Sequence, residues 1–496
     1  MSAPASSEPS ASAAAREGAP LPTADVPSPP PPLARHAAFD PAQPPSRYGV
    51  LRHKHYRNVL GAQFLSNVGT WMEMFAMQMV VAKATGSLAD LGVLTLVAHV
   101  PIFVLGAFGG LMADRLNRRT LLIVTQFMLG FVAIGVAVVS SIQFDSPRTL
   151  VHWLLIFATI NGVIAAFNFP AWQVLTPRLV PKEELTKAIT LNGIQFNLAR
   201  VIGPGLAGLM LATLSATPLF VFNAFSFFAV AAVVMTTPDA PPAKIAGDAF
   251  AQLREAFRFL VHEKGPRAVL IAQVLISMLA APLVRMLSLF VIDVFGLGGK
   301  QAEQAGGLLL SIQGVGAVIG GLCLRYIPAW YPRHHFIPLS AAALGLSISL
   351  FAVTTSLVAG CVAMLICGFF WIWAFNQSWA AMQVLAPDAL RGRVMSLTTV
   401  ASFGATALGA FVAGYFGELL KQGGINETGA TQASVAFLSL PLFIAGLVML
   451  IIRTPEVDGD PRPAVTMKAR RTLWNAITAR EHRPVLREGS SDVPQM

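Results

Sequence analysis

Three stretches of this chain admit few solutions. "LLIVTQFMLGFVAIGVAVVS" (121–140), "LFVFNAFSFFAVAAVVM" (219–235) and "SVAFLSLPLFIAGLVMLII" (434–452) carry no charged residue. An apolar run of about 20 residues matches the length of a helix that crosses a bilayer. Lipid offers the backbone no hydrogen-bond partners, so spanning structures are helices or closed barrels. The alternating pattern of a barrel is absent. The chain is 54% hydrophobic and 12% charged, about half the charged share of an ordinary soluble domain. These features predict an all-α, polytopic membrane protein.

The apolar pattern predicts twelve crossings, near 57–82, 88–113, 119–142, 150–176, 186–213, 217–236, 267–295, 302–325, 335–355, 358–385, 395–420 and 433–453. Basic residues mark alternate loops. One set holds Arg52, Lys54, Arg57, Arg115, Arg118, Arg119, Arg178, Lys182, Lys187, Arg254, Arg258, Lys264, Arg267, Arg325, Arg333, Arg391 and Arg393. The other set holds little beyond Lys83, Arg148, Lys300 and Lys421. The positive-inside rule puts the first set and both termini in the cytoplasm. The net charge of +10 then reports topology and calls for no nucleic acid. Residues 1–46 are rich in Ala, Pro and Ser and read as a disordered tail, without the apolar core of a cleavable signal. Residues 454–496 form a basic tail that either touches anionic headgroups or is merely solvated. Cys323, Cys361 and Cys367 fall inside predicted crossings and read as small apolar residues rather than a disulfide or metal site.

The chain repeats itself at a distance of about 210 residues. "FVLGAFGGLMADR" (103–115) resembles "GVGAVIGGLCLRY" (314–326), aligning Gly109 and Gly110 with Gly320 and Gly321. "QVLTP" (173–177) matches "QVLAP" (383–387). This predicts two parallel, pseudo-symmetric six-helix bundles, 47–237 and 267–453. Between them lies a polar linker, 238–266, whose Phe250, Leu253, Phe257 and Leu260 share a helical stripe. That stripe predicts an amphipathic helix on the cytoplasmic membrane surface.

Twelve crossings in two halves with a linker resemble the major facilitator superfamily. "GGLMADRLNRR" (109–119) is similar to its loop between the second and third helices, through Gly110, Asp114, Arg115, Asn117, Arg118 and Arg119. Asn117 stands where glycine is usual, and asparagine tolerates a left-handed backbone. The resemblance implies that Asp114 faces the start of the eleventh crossing. There an aspartate at the positive end of a helix would act as a clamp of about 0.3–2 kcal/mol. The same arginines also serve as plain topology determinants. "FNLARVIGPGLAG" (196–208) resembles a glycine-rich signature of exporters and antiporters, keeping Gly203, Pro204 and Gly208 beside Arg200 but with Ala199 and Ala207 replacing glycines. Close packing of small residues, with a bend at Pro204, accounts for the same pattern. With "SNVGTWMEMFA", "ATGS" and the "RGRV" of Arg391 and Arg393, residues 50–455 resemble the enterobactin-exporter-like, or transmembrane secretion effector, branch. That branch implies export of siderophores, drugs or similar small molecules by proton exchange, in the bacterial inner membrane. A lipid or lysolipid flippase, or an importer, stands as the alternative on the same scaffold.

The first crossing carries the cargo and proton candidates. At about 100° per residue, Gln63, Ser66, Asn67, Thr70, Glu73 and Gln78 fall within an arc of roughly 140°. A polar stripe at membrane depth faces other helices or a watery cavity. A carboxyl removed from water takes up a proton more readily, so Glu73 is the candidate proton carrier; a simple hydrogen bond to a neighbour is the competing reading. Arg285, on a face with Ser277 and Ser288, is a candidate for an anionic cargo or for pairing with Glu73. Arg200 is expected to tie down carbonyls near Pro204. His99 reads as a packing residue. Asn168 and Trp172 in the fourth crossing, and Asn376 among the aromatics of the tenth, are further cavity candidates, although aromatics at this spacing also serve plain packing.

An enzyme would need a catalytic constellation, and the chain offers none: its nine histidines are scattered without metal-ligand spacing, and no phosphate-cradling P-loop appears. The expectation is a transporter with no cofactor and no metal, whose partners are a small molecule, protons and the lipid bilayer, and which works as a monomer.

Overall fold

The computed structural model describes residues 49–175, 178–238, 249–328, 331–387, 390–452 and 454–458, except the side chains at 107, 111, 113, 114, 173, 174, 182, 249 and 250. The expectations for the two tails, for most of the linker before 249 and for the Asp114 carboxylate lie outside the described residues. Helices dominate: α1 (Lys54–Thr85), α2 (Leu88–Arg115), α3 (Arg118–Ser141), α4 (Pro147–Leu175), α5 (Leu185–Thr213), α6 (Thr217–Met235), α7 (Ala249–His262), α8 (Lys264–Arg285), α9 (Leu287–Asp293), α10 (Gly299–Cys323), α11 (Arg333–Ala352), α12 (Leu357–Leu385), α13 (Arg391–Gln422) and α14 (Glu427–Ile452).

Eleven of these are long and apolar enough to cross a membrane. The twelfth crossing is α1, 32 residues long, which its polar stripe keeps below that apolar standard. The seventh differs from the uninterrupted helix expected over 267–295. It breaks at Met286 into α8 and α9, four residues after Pro282. Proline lacks the N–H of a regular turn and crowds the preceding carbonyl, which makes a break next to it cheap. Arg285 is left as the last residue of α8.

The two halves repeat their packing. In the first, α2 lies on α4, α3 on α6 and α4, and α1 on α5 and α6. In the second, α10 lies on α12, α11 on α14 and α12, and α8 on α13 and α14. The repeated glycines explain the equivalence. A Cβ on Gly109 would strike the Ala166 carbonyl of α4, and one on Gly320 would lie 2.6 Å from the Phe369 carbonyl of α12. Gly162 and Gly368 make the reciprocal approaches, to Ala98 of α2 and Gln313 of α10.

Between halves, α2 runs along α13 and α5 along α10. Here too, backbones meet at glycine. A Cβ on Gly92 would lie 2.9 Å from the Ala410 carbonyl, and one on Gly414 would strike the Leu88 carbonyl. On the other crossing, Gly208 abuts Glu303 and Gly307, and Gly307 abuts Pro204. Lipid tails are as apolar as leucine, so contact of this kind, rather than a hydrophobic drive, holds membrane helices together.

The linker helix α7 departs from a uniform stripe. Ala256 and Leu260 are buried against α8 and α13, whereas Phe257 and Val261 are exposed. One side grips the second half and the other is left apolar and outward.

Gly414→Val should force α2 and α13 apart, at a cost of about 1–3 kcal/mol, and lower the melting temperature of the detergent-purified protein. Gly193→Ala, where a Cβ meets nothing within 4 Å, should leave it unchanged or slightly raised.

Candidate functional site

The two faces of α1 have different partners. Its apolar face meets the second half: a Cβ on Gly306 of α10 would lie 2.8 Å from the Phe75 ring and 3.4 Å from the Met79 methyl. Its polar face stays with the first half. Asn67 Nδ2 donates to Gln195 Oε1 of α5 at 3.2 Å. Glu73 is 6% exposed, and its Oε2 accepts from Asn223 Nδ2 of α6. Ser226 Oγ donates to Asn223 Oδ1 at 3.1 Å, orienting the amide so that its N–H faces the carboxyl. Gly69 leaves room for this, since a Cβ there would sit 2.5 Å from Asn223 Oδ1.

Beside Glu73 lies a cavity of about 240 Å³. Thr70, Glu73 and Gln78 of α1, Thr95 and His99 of α2, and Asn161 of α4 give it polar walls; Met74, Met77, Leu94, Ile102, Val136 and Phe157 give it apolar ones. Its remaining polar lining group is Arg285, which reaches in from the second half. The guanidinium donates through Nη1 to Met74 Sδ at 3.0 Å. Gln78, with its amide nitrogen donating to Val284 O, accepts from the same Nη1 at 3.2 Å. His99 Nδ1 lies 2.9 Å from the Thr95 carbonyl. That oxygen can only accept, so Nδ1 carries the proton and Nε2 offers its lone pair to Arg285 Nη2, 3.5 Å away.

The structure thus gathers Thr70, Glu73 and Arg285 at one cavity and leaves other candidates apart from it. Gln63 and Asn67 lie on α1 outside the lining. Asn168 Nδ2 donates to Thr125 Oγ1 of α3 at 2.8 Å, inside the first half. Trp172 packs with Leu122, Leu175 and Val234. Asn376 is exposed on α12. Ser277 and Ser288 are buried without hydrogen-bond partners and do not line the cavity. The α12 aromatics stack on one another, Trp371 on Phe375 and Phe375 on Trp379, with interplanar angles of 11° and 8°. Arg285 and Glu73 do not pair. Arg200 also differs from expectation: its Nε and Nη2 are buried without a partner, so neither ties down a carbonyl. Sequence reasoning missed Asn223 and Met74. Asn223 was legible as a lone amide in the apolar run 219–235; Met74 sent no signal.

At the Arg-rich end, α2 stops at Arg115 and α3 starts at Arg118. Asn117 between them is not left-handed. It has φ −64° and ψ 113°, and its side chain accepts from the backbone N–H of Arg119 and Thr120. The asparagine serves as a helix cap, one of the residues best suited to that task. Arg119 Nε donates to Val234 O at 3.3 Å, and Nη2 donates to Met235 O, closing the last carbonyls of α6. Arg118 is buried and Arg115 exposed. Gly110 lies 3.8 Å, measured from a built Cβ, from Ser396 Oγ near the start of α13. Arg391 Nε donates to Gln383 O at the end of α12, and the neighbouring Arg393 is half-buried. Gly203, Pro204 and Gly208 all sit at close approaches: Gly203 to Val68 and Trp71 of α1, the other two to α10.

The opposite end is bridged between halves. Lys83 of α1 pairs with Glu303 of α10. Ser87 Oγ donates to Glu418 Oε2 of α13 at 3.1 Å, and Lys421 Nζ donates to Gly86 O at 2.9 Å. Lys421 also stands 3.6 Å from Asp293 of α9.

Twelve crossings in two equivalent halves, with a cavity in the first half that Arg285 enters from the second, are the architecture of a multi-pass membrane transporter. The chain belongs to the transmembrane secretion effector family of the major facilitator superfamily, whose family model matches residues 45–483. It is 25% identical over 403 residues to the enterobactin exporter EntS of Salmonella typhimurium, covering 81% of this chain and 92% of that one. It is also 25% identical over 339 residues to the staphyloferrin A transporter of Staphylococcus aureus, covering 68% and 83%. Among solved structures, an inward-facing, occupied bacterial homologue of the lysosomal transporter Spinster superposes with a TM-score of 0.62 at 14% identity, covering 84% of this chain and all of that one. The nucleoside transporter NupG superposes with a TM-score of 0.61 at 16% identity, covering 80% and 99%. These two likenesses concern the fold.

Asn117→Ala should cost about 1 kcal/mol through loss of the cap, read as a lower unfolding temperature, whereas Asn117→Asp should retain most of that stability.

Proposed function

We propose that this protein is a proton-coupled exporter of a small hydrophobic or amphipathic molecule, a drug, siderophore or similar metabolite, working by alternating access. The observation that carries this reading is the cavity, where a carboxyl from one half and a guanidinium from the other face the same small volume at mid-helix depth. Glu73 is the proton carrier. Asn223 steadies its carboxyl with one N–H donor, which both the neutral and the charged form can accept. Alternation between the two forms changes the charge of the cavity and so the cost of each orientation of the halves. The outward direction draws support from the relatives that export enterobactin and transport staphyloferrin A, and from the resemblance of the segment holding Gly203, Pro204 and Gly208 to a signature of exporters and antiporters.

The moving parts are the halves 47–237 and 267–453, joined by the linker 238–266. The Arg-rich end and both termini are cytoplasmic, in a bacterial inner membrane, and one chain suffices. Gly110, Asp114, Arg115, Asn117, Arg118 and Arg119, with Arg391 and Arg393 across from them, form the cytoplasmic gate. The approach of Gly110 to Ser396 supports that role, because it brings the end of α2 to the first turns of α13, where an acid meets the positive pole of a helix.

Everted membrane vesicles test the reading. With an imposed pH gradient, the wild type should accumulate labelled catecholate or carboxylate siderophores or lipophilic dyes, with lysolipid as a competing probe. Glu73→Gln should lose the gradient-driven part of this flux while folding normally; undiminished pH-driven accumulation by that variant would refute the proton role. Asp114→Asn should slow flux without reducing the amount of protein inserted, and normal flux in that variant would remove the gate from the proposal.

A further inference from the structure

The cavity contains a charge that no carboxylate among the described residues neutralises. Among the described residues, no carboxylate lies within 4.0 Å of the Arg285 guanidinium. Its partners are a thioether, an amide oxygen and an imidazole lone pair, from Met74, Gln78 and His99, all neutral. The carboxyl that could have answered it, Glu73, is turned to Asn223 instead. A cation in a low-dielectric interior is costly unless paired. The neutral acceptors of Arg285 soften that cost without cancelling the charge, and they hold the fork in place. They also aim it. Met74, Gln78 and His99 belong to α1 and α2, so the guanidinium of the second half is held by the first, with its remaining N–H groups free for a ligand.

Building on the transport reading above, we infer that Arg285 is the docking point for an anionic group of the cargo, a carboxylate or another planar oxyanion. The fork geometry of guanidinium suits two-oxygen anions better than single oxygens. Asn161 of α4, which makes no side-chain hydrogen bond, supplies a further donor from the cavity wall. The apolar residues of the lining receive the carbon skeleton next to that group. At about 240 Å³, the space corresponds to roughly eight water volumes, so it accepts an anionic head with one ring rather than a whole large metabolite.

Equilibrium dialysis with the full-length protein in lipid nanodiscs tests this with three single-ring probes of similar shape: benzoate, benzamide and benzylammonium. The wild type should bind the carboxylate roughly tenfold or more tightly than the amide, and the ammonium least. Arg285→Gln should abolish that preference, while Arg285→Lys should restore part of it. Monodisperse elution and an unchanged unfolding temperature report that each variant is folded. Equal affinity for acid and amide in the wild type, or an unaltered preference in Arg285→Gln, overturns the assignment. Binding and flux separate the two claims. Charge-selective binding without gradient-driven flux leaves the anion site standing and defeats proton-coupled export; flux with no charge preference does the reverse.

Discussion

Two helix crossings hold this molecule together, α2 on α13 and α5 on α10. Each brings backbone against backbone at glycines: Gly92 and Gly414 on the first, Gly208 and Gly307 on the second. Such contacts involve many small dispersion terms and few interlocking side chains. They resist separation, yet they have no deep ridges to climb when one helix slips along another. The ion pair and hydrogen bonds of Lys83, Ser87 and Lys421 then add a polar fastening at one end. The proposed rocking of the halves would take place about these crossings, with the cavity beside α1 carried by the first half.

The cavity follows from how the polar stripe of α1 is divided. Asn67 and Glu73 are satisfied within the first half by Gln195 and Asn223, while Thr70 and Gln78 open onto the space beside α2 and α4. Phe75 and Met79, on the other face, seal α1 against α10. A helix too polar for lipid is thereby covered along much of its length, with Leu65 left exposed. Arg285 enters this setting from the seventh crossing, as the last residue before the break at Met286.

Much of this architecture was legible beforehand. The hydrocarbon thickness imposes a length on each apolar run, which located the crossings. Duplication left matching glycines, which marked the paired halves. Asn117 illustrates where local reading went astray: its residue type fits both a left-handed turn and a helix cap, and only the course of the chain into α3 selects the cap. Arg200 illustrates a second limit, because a residue type says nothing about whether a carbonyl lies within reach. Likewise Asn168 and Asn376 looked like cavity groups, but the rotation of α4 and α12 turns them elsewhere.

The amino-acid order by itself determined that this chain crosses the membrane twelve times, in two like bundles, with polar groups concentrated on the first helix. It could do so because lipid penalises every exposed polar group and makes both span length and polar position local properties. Tertiary structure decided which of those groups meet. Glu73 finds Asn223 from 150 residues away, and Arg285 finds His99 from 186 and Met74 from 211. Those encounters depend on helix rotation and on the break at Met286, which arise from packing among all the helices and leave no periodic trace along the chain.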